Sequence, residues 1–136
     1  YDDSTRSLRY TNAGHNAAIL VGADGTVERL ATGGVMVGAF QGSRYAQAQT
    51  ALPPGSLLLI FSDGLSEARD AQGEEYGEAR LQDFALRNRA CSAEALRRAV
   101  FEEIDRWSSG QDREDDQTLV IIRALQASGP ASSLPA

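Results

Sequence analysis

The 136-residue chain contains no lysine and a single residue each of cysteine (Cys91), histidine (His15), tryptophan and methionine. One cysteine forms no internal disulfide, so nothing here requires an oxidising compartment, and a cytoplasmic location is expected. The lack of Cys and His clusters argues against structural zinc. All thirteen basic residues are Arg and they are outnumbered by nineteen Asp and Glu, a net charge of −6. An acidic chain with scattered Arg residues is poorly suited to wrapping nucleic acid or an anionic membrane, so neither is an expected partner. The longest apolar run, Leu57–Phe61, is far short of the roughly 20 residues that a membrane helix needs, and no charged-then-apolar signal segment opens the chain. Gly and Pro together number 17, near the globular average, which excludes a collagenous or globally disordered chain. The length suits one domain.

What is present reads first as strands. Leu8–Thr11, Ala17–Val21 and Thr26–Leu30 are β-prone, and Asp24-Gly25 between the last two predicts an antiparallel hairpin, because Gly accepts the positive φ of a tight turn. Tyr45–Leu52 alternates with period two, as a strand with one wet face does. Pro53-Pro54-Gly55 forces a turn. Leu57–Phe61 then reads as a strand buried on both faces, stopping at Ser62-Asp63-Gly64.

From Gly77 the period becomes helical. Leu81, Phe84, Ala85 and Asn88 share one face, and a second helix opens at Ser92 as N-cap with the stripe Leu96, Ala99, Val100, Ile104 and Trp107. Ser108-Ser109-Gly110 ends it, and a polar loop, Gln111–Asp116, delivers the chain into a last strand, Thr118–Ile122. Residues 127–136 are Ser, Pro, Gly, Leu and Ala and read as a disordered tail or linker after a domain spanning 1–126. Strands, two helices and a final strand make an α+β pattern, with helices covering an antiparallel sheet.

Asp63 directly follows one strand that reads as buried, and Asp115 and Asp116 precede another that reads as buried. If those strands are antiparallel neighbours, the three carboxylates converge at one sheet edge. Such a cluster needs protons or a cation, and all-oxygen donors suit Mg²⁺ or Mn²⁺. The plain alternative is a turn at Asp63-Gly64 and a solvated loop at Asp115-Asp116. A Ca²⁺-binding domain is disfavoured because no twelve-residue loop of alternating oxygen ligands occurs. Gly33-Gly34 lacks the Lys-Ser/Thr of a phosphate-binding loop, Cys91 has no activating neighbour in the sequence, and Trp107 reads as core.

Taken together, Leu8–Asn16 with its Asn12-Ala13-Gly14-His15-Asn16, Gly33-Gly34 with Val37-Gly38, Leu52–Arg69 around Phe61-Ser62-Asp63-Gly64, Gly73–Gly77 and Asp115–Val120 resemble, in order and spacing, the SpoIIE-like (RsbU-type) branch of the PPM metal-dependent Ser/Thr protein phosphatases. The resemblance spans Leu8 to Arg123. It implies an antiparallel β-sandwich flanked by helices, with a binuclear Mn²⁺ or Mg²⁺ centre at one end. By family position Asp63 corresponds to a direct metal ligand and Asp115 to a second. Asp116 is more peripheral, although register alone leaves an exchange with Asp115 open. Glu67 falls where some members carry an acidic residue for an additional, weaker metal.

His15 matches the branch's usual Ala-Gly-His-Asn, and a turn-stabilising role stands beside direct participation in the site; Asn12 and Asn16 are expected to brace that turn. The resemblance further implies hydrolysis of phosphoserine or phosphothreonine on a bacterial regulatory partner, possible substrates including anti-anti-sigma-like proteins, by metal-activated water. The alternative is a non-catalytic scaffold that binds such a regulator. The chain opens at Tyr1 rather than Met and lacks the early Gly-Asp segment of the family. It therefore reads as the C-terminal part of a catalytic domain, weak or inactive alone, and prone to dimerise through exposed edges.

Overall fold

The computed structural model describes residues 1–109 and 115–126. The expected tail over 127–136 and most of the acidic loop at 111–114 lie outside the described residues. The strands are β1 (Ser7–Tyr10), β2 (Asn12–Ala13), β3 (Ala18–Val21), β4 (Val27–Leu30), β5 (Gly33–Gly34), β6 (Ala48–Ala51), β7 (Leu57–Phe61) and β8 (Leu119–Arg123). The helices are α1 (Asp63–Ser66), α2 (Glu78–Arg87) and α3 (Ala93–Trp107), all between β7 and β8.

The central sheet has the order β4-β3-β7-β8, antiparallel throughout. Period-two alternation divides β3, β4 and β7 between two apolar clusters. Ile19 and Val21 of β3, Leu57, Leu59 and Phe61 of β7, and Leu119 and Ile121 of β8 face the helices, where they meet Leu81 and Ala85 of α2 and Leu96, Val100 and Ile104 of α3. Leu20, Leu30 and Leu58 face the other way and pack with Leu8, Tyr10 and Leu52 around the antiparallel pair β1–β6. β7 is apolar at every position because both its faces are covered. The result is a two-layered β-sandwich with helices on one face, as expected. Its second layer is small, so the far face of β8 is uncovered: Val120 and Ile122 are 47% and 44% exposed.

Two local expectations change. The Tyr45–Leu52 strand shortens to Ala48–Ala51, because Ala46 N–H bonds to Gly33 O instead of continuing the β1 ladder. The last strand is half exposed rather than buried, since it lies at the sheet edge with one face open. The β3–β4 connection is a five-residue loop, in which Asp24 Oδ1 accepts hydrogen bonds from Thr26 N–H and Oγ1. The expected Asp24-Gly25 hairpin is thus formed, closed by this Asx turn with Gly25 at positive φ.

The helical readings hold. Ser92 caps α3, its Oγ accepting from Ala95 N–H at 3.1 Å. Trp107 packs edge-on against buried Tyr76 with ring centroids 5.6 Å apart and donates Nε1–H to Glu74 O. Arg80 lies 4.5 Å above the Trp107 ring and bonds the carbonyls of Glu75 and Tyr76. This clamp fixes the segment that links α1 to α2. Cys91 is half buried against the core and its carbonyl accepts from Arg123.

Candidate metal centre

The antiparallel pairing of β7 and β8, with Phe61 opposite Leu119, sets the end of one strand beside the start of the other. Ser62 closes the junction from both sides: its N–H donates to Thr118 O (3.0 Å), its Oγ donates to Asp116 O (3.0 Å), and Thr118 N–H donates to that Oγ (2.9 Å). Asp63 therefore leaves the strand at a fixed place and opens the single turn α1. Its Oδ1 accepts from Gly64 N–H, and its carbonyl accepts from Glu67 N–H and Ser66 Oγ.

Gly64 is where the two segments touch. A Cβ there would stand 2.5 Å from Asp116 O and 3.4 Å from Asp115 C, both backbone atoms, so only glycine allows this approach. Gln117 adds a second brace. Its Nε2 donates to Gly64 O at 3.2 Å, while its buried Oε1 has no hydrogen-bond partner. A buried acceptor without a donor is costly.

Asp63, Glu67, Asp115 and Asp116 are all exposed, and none forms an ion pair among the described residues. Asp115 Oδ1 accepts from Asp116 N–H at 2.7 Å. The backbones of residues 63–64 and 115–116 thus meet at one sheet end. Their side chains do not close into a cage: among the described residues no three His, Cys, Asp or Glu stand together to hold a metal ion. The donor set fits a hard divalent cation in kind and falls short of one in number.

His15 stands on the neighbouring turn. Asn12 clamps that turn, its Nδ2 donating to His15 O and its Oδ1 accepting from His15 N–H, and His15 Nδ1 lies 3.1 Å from Asn16 O. Asn16 Nδ2 reaches Ser66 Oγ at 3.5 Å, a long contact that joins this turn to α1. Asn12 braces the turn as expected, whereas the Asn16 side chain ties it to α1. Gly33-Gly34 pairs in parallel with Asn12-Ala13. Sequence reading missed Ser62 and Gln117 as braces; their only signal was their place beside Asp63 and Asp116.

The family model of Stage II sporulation protein E (SpoIIE) matches residues 1–125. The chain belongs to the SpoIIE family. It is 26% identical over 124 residues to the phosphoserine phosphatase RsbU of Bacillus subtilis, covering 90% of this chain and 36% of that protein. Two solved structures share the fold. The SiaA-PP2C domain of Pseudomonas aeruginosa superposes with a TM-score of 0.75 at 20% identity, covering 90% of this chain and 48% of that one. The phosphatase domain of SpoIIE from B. subtilis, presoaked with Mn, gives 0.71 at 20% identity, with 95% and 56% covered. The fold is thus that of PP2C phosphatase domains. The chain spans about a third of the length of RsbU and about half of each of these two structures. No described helix is long and apolar enough to cross a membrane.

Proposed function

We propose that this chain carries part of the metal centre of a phosphoprotein phosphatase, which removes phosphate from serine or threonine of a regulatory partner protein. The observation that carries the reading is the β7–β8 junction. It sets Asp63 against Asp115-Asp116, with carboxylates that no described cation neutralises, in a chain of the SpoIIE family. Asp63 and Asp115 are the direct ligands of Mn²⁺ or Mg²⁺ in this reading, Asp116 lies beside them, and Glu67 serves a further, weaker ion. Two such ions, when bound, would lower the pKa of a water near neutral pH and would neutralise charge on the phosphoryl oxygens.

The chain's own residues do the positioning. Ser62 and Gln117 hold the two carboxylate-bearing segments in register, and Gly64 lets them touch. Because the chain spans about half of the matched domains, other ligands complete the site in a whole domain. Turnover by this chain alone is therefore weak. The name of RsbU supports phosphoserine as the substrate class, and the Mn-soaked SpoIIE domain supports the metal. An anti-anti-sigma-like protein is the class of partner proposed, and the cytoplasm is the compartment.

A scaffold that binds such a regulator without hydrolysis is the second reading. It draws on the absence of a three-donor group among the described residues. Hydrolysis of an aryl phosphate with Mn²⁺, with chelator and after Asp63→Asn separates the two. Slow turnover lost with chelator and with the substitution supports the enzyme. No turnover, even when the chain is joined to a whole domain, supports the scaffold, and metal-independent phosphate-monoester turnover counts against both readings.

A further inference from the structure

No Asp or Glu occurs between Glu28 and Asp63, although the chain is acidic elsewhere. Within that stretch lies an apolar tip: Val35, Met36, Val37 and Phe40 are 47%, 64%, 71% and 69% exposed. Scattered exposed apolar residues are ordinary, but four within six positions form a patch of the kind that marks an interaction surface.

The tip is built rather than frayed. Its base is tied by Ala46 N–H to Gly33 O and by Thr11 Oγ1 to Ala46 O. Its own turns are closed by Ala39 N–H to Met36 O and Ser43 Oγ to Phe40 O. Gly38 and Gly42 take positive φ with open space around them, so these glycines turn the loop outward and pack against nothing. Arg44, exposed at the end of the loop, forms no ion pair among the described residues.

The loop also adjoins the candidate metal centre. Met36 Cα lies 2.7 Å from where a Cβ of Gly14 would be, on the turn that carries His15 and Asn16. Asn16 reaches Ser66, and Ser66 bonds the carbonyl of Asp63. A line of contacts thus runs from the apolar tip to the backbone of Asp63.

We propose that the loop from Val35 to Arg44 is the docking surface for the body of an acidic phosphoprotein, gripping apolar side chains near its phosphorylated residue. The role as a substrate surface rests on the phosphatase reading above. The apolar side chains supply contact area without a carboxylate to repel an acidic partner, and Arg44 supplies a cation for it.

The test uses the whole chain with Mn²⁺, and phosphorylated and dephosphorylated casein as probes, with binding read by fluorescence anisotropy. Met36→Ser/Phe40→Ser is expected to weaken both forms of casein at least tenfold, while Mn²⁺ binding, aryl phosphate turnover and the unfolding temperature stay unchanged. Arg44→Glu is expected to weaken the phosphorylated form more than the dephosphorylated one. The proposal is overturned if wild type does not bind casein, or if the double variant binds it as wild type does. It is equally overturned if the double variant loses Mn²⁺ binding in parallel, which marks a structural effect. If Mn²⁺ neither binds nor supports turnover in wild type, the metal reading fails, and the casein comparison still decides whether the loop is a docking surface.

Discussion

Replacing Gly64 by Ala places one methyl group where the two carboxylate-bearing segments meet. The new Cβ would lie 2.5 Å from Asp116 O and 3.1 Å from Asp116 C. Ordinary van der Waals contact begins at 3.4 Å, so the Asp116 backbone must retreat by 3.4 − 2.5 = 0.9 Å. Neither side yields easily. Asp116 O is held by Ser62 Oγ, and Gly64 O is held by Gln117.

Overpacking of this kind typically costs about 1–3 kcal/mol. A gain of at most about 1 kcal/mol offsets it, because Ala favours the helical turn more than Gly does. The net loss is therefore about 0–3 kcal/mol, read as a fall in melting temperature. The effect on the site is larger. Displacing supports around metal ligands by such amounts costs about 10–100-fold in affinity. Calorimetric titration of Mn²⁺ alongside thermal unfolding reads both. The expected result for Gly64→Ala is Mn²⁺ binding weakened at least about tenfold with the fold intact. Wild-type Mn²⁺ affinity in a stably folded variant would refute the claim that close approach of residues 64 and 116 shapes the site.

Three further outcomes follow from the structure. Ser62→Ala removes the partner of Thr118 N–H and a donor to Asp116 O, both at an exposed junction, and should cost about 0.5–1.5 kcal/mol in a urea titration; no measurable loss contradicts the brace. Burial, with the charge of Glu103 adding to it, raises the Tyr76 phenol above its ordinary range. Since the folded value is the higher one, this group's stabilising contribution is complete below about pH 10 and is lost as pH rises through the folded value. Tyr76→Phe should flatten the fall in stability above pH 10, and an unchanged profile would count against it. Ile122→Lys on the open face of β8 should abolish self-association seen by sedimentation at high concentration, and identical masses for variant and wild type would rule that face out as the contact.

Much of this was legible in residue order. Leu57–Phe61 is apolar at each place because β7 is central, and the Ser92 cap and the Leu96, Val100, Ile104 stripe identified α3 directly. The meeting of Asp63 with Asp115-Asp116 followed once β7 and β8 were taken as neighbours, and pairing of Phe61 with Leu119 makes them so. Burial of β8 was not legible, since Leu119-Val120-Ile121-Ile122 reads alike at a sheet centre and at an edge. Nor were the roles of Ser62 and Gln117. A polar side chain declares its partner only when the chain has folded back, and theirs lie more than fifty residues away in sequence. The gathering of side chains was overestimated for a related reason: spacing sets where a backbone arrives, while carboxylate placement answers to what it binds.

The central claim is that Asp63 and Asp115 are ligands of a divalent cation. Its most direct measurement is calorimetric titration of Mn²⁺ into the wild-type chain, Asp63→Asn and Asp115→Asn, each checked for folding by thermal unfolding. The account predicts saturable binding to wild type that either substitution abolishes or weakens at least about tenfold. Indistinguishable titrations for the three folded proteins would contradict it.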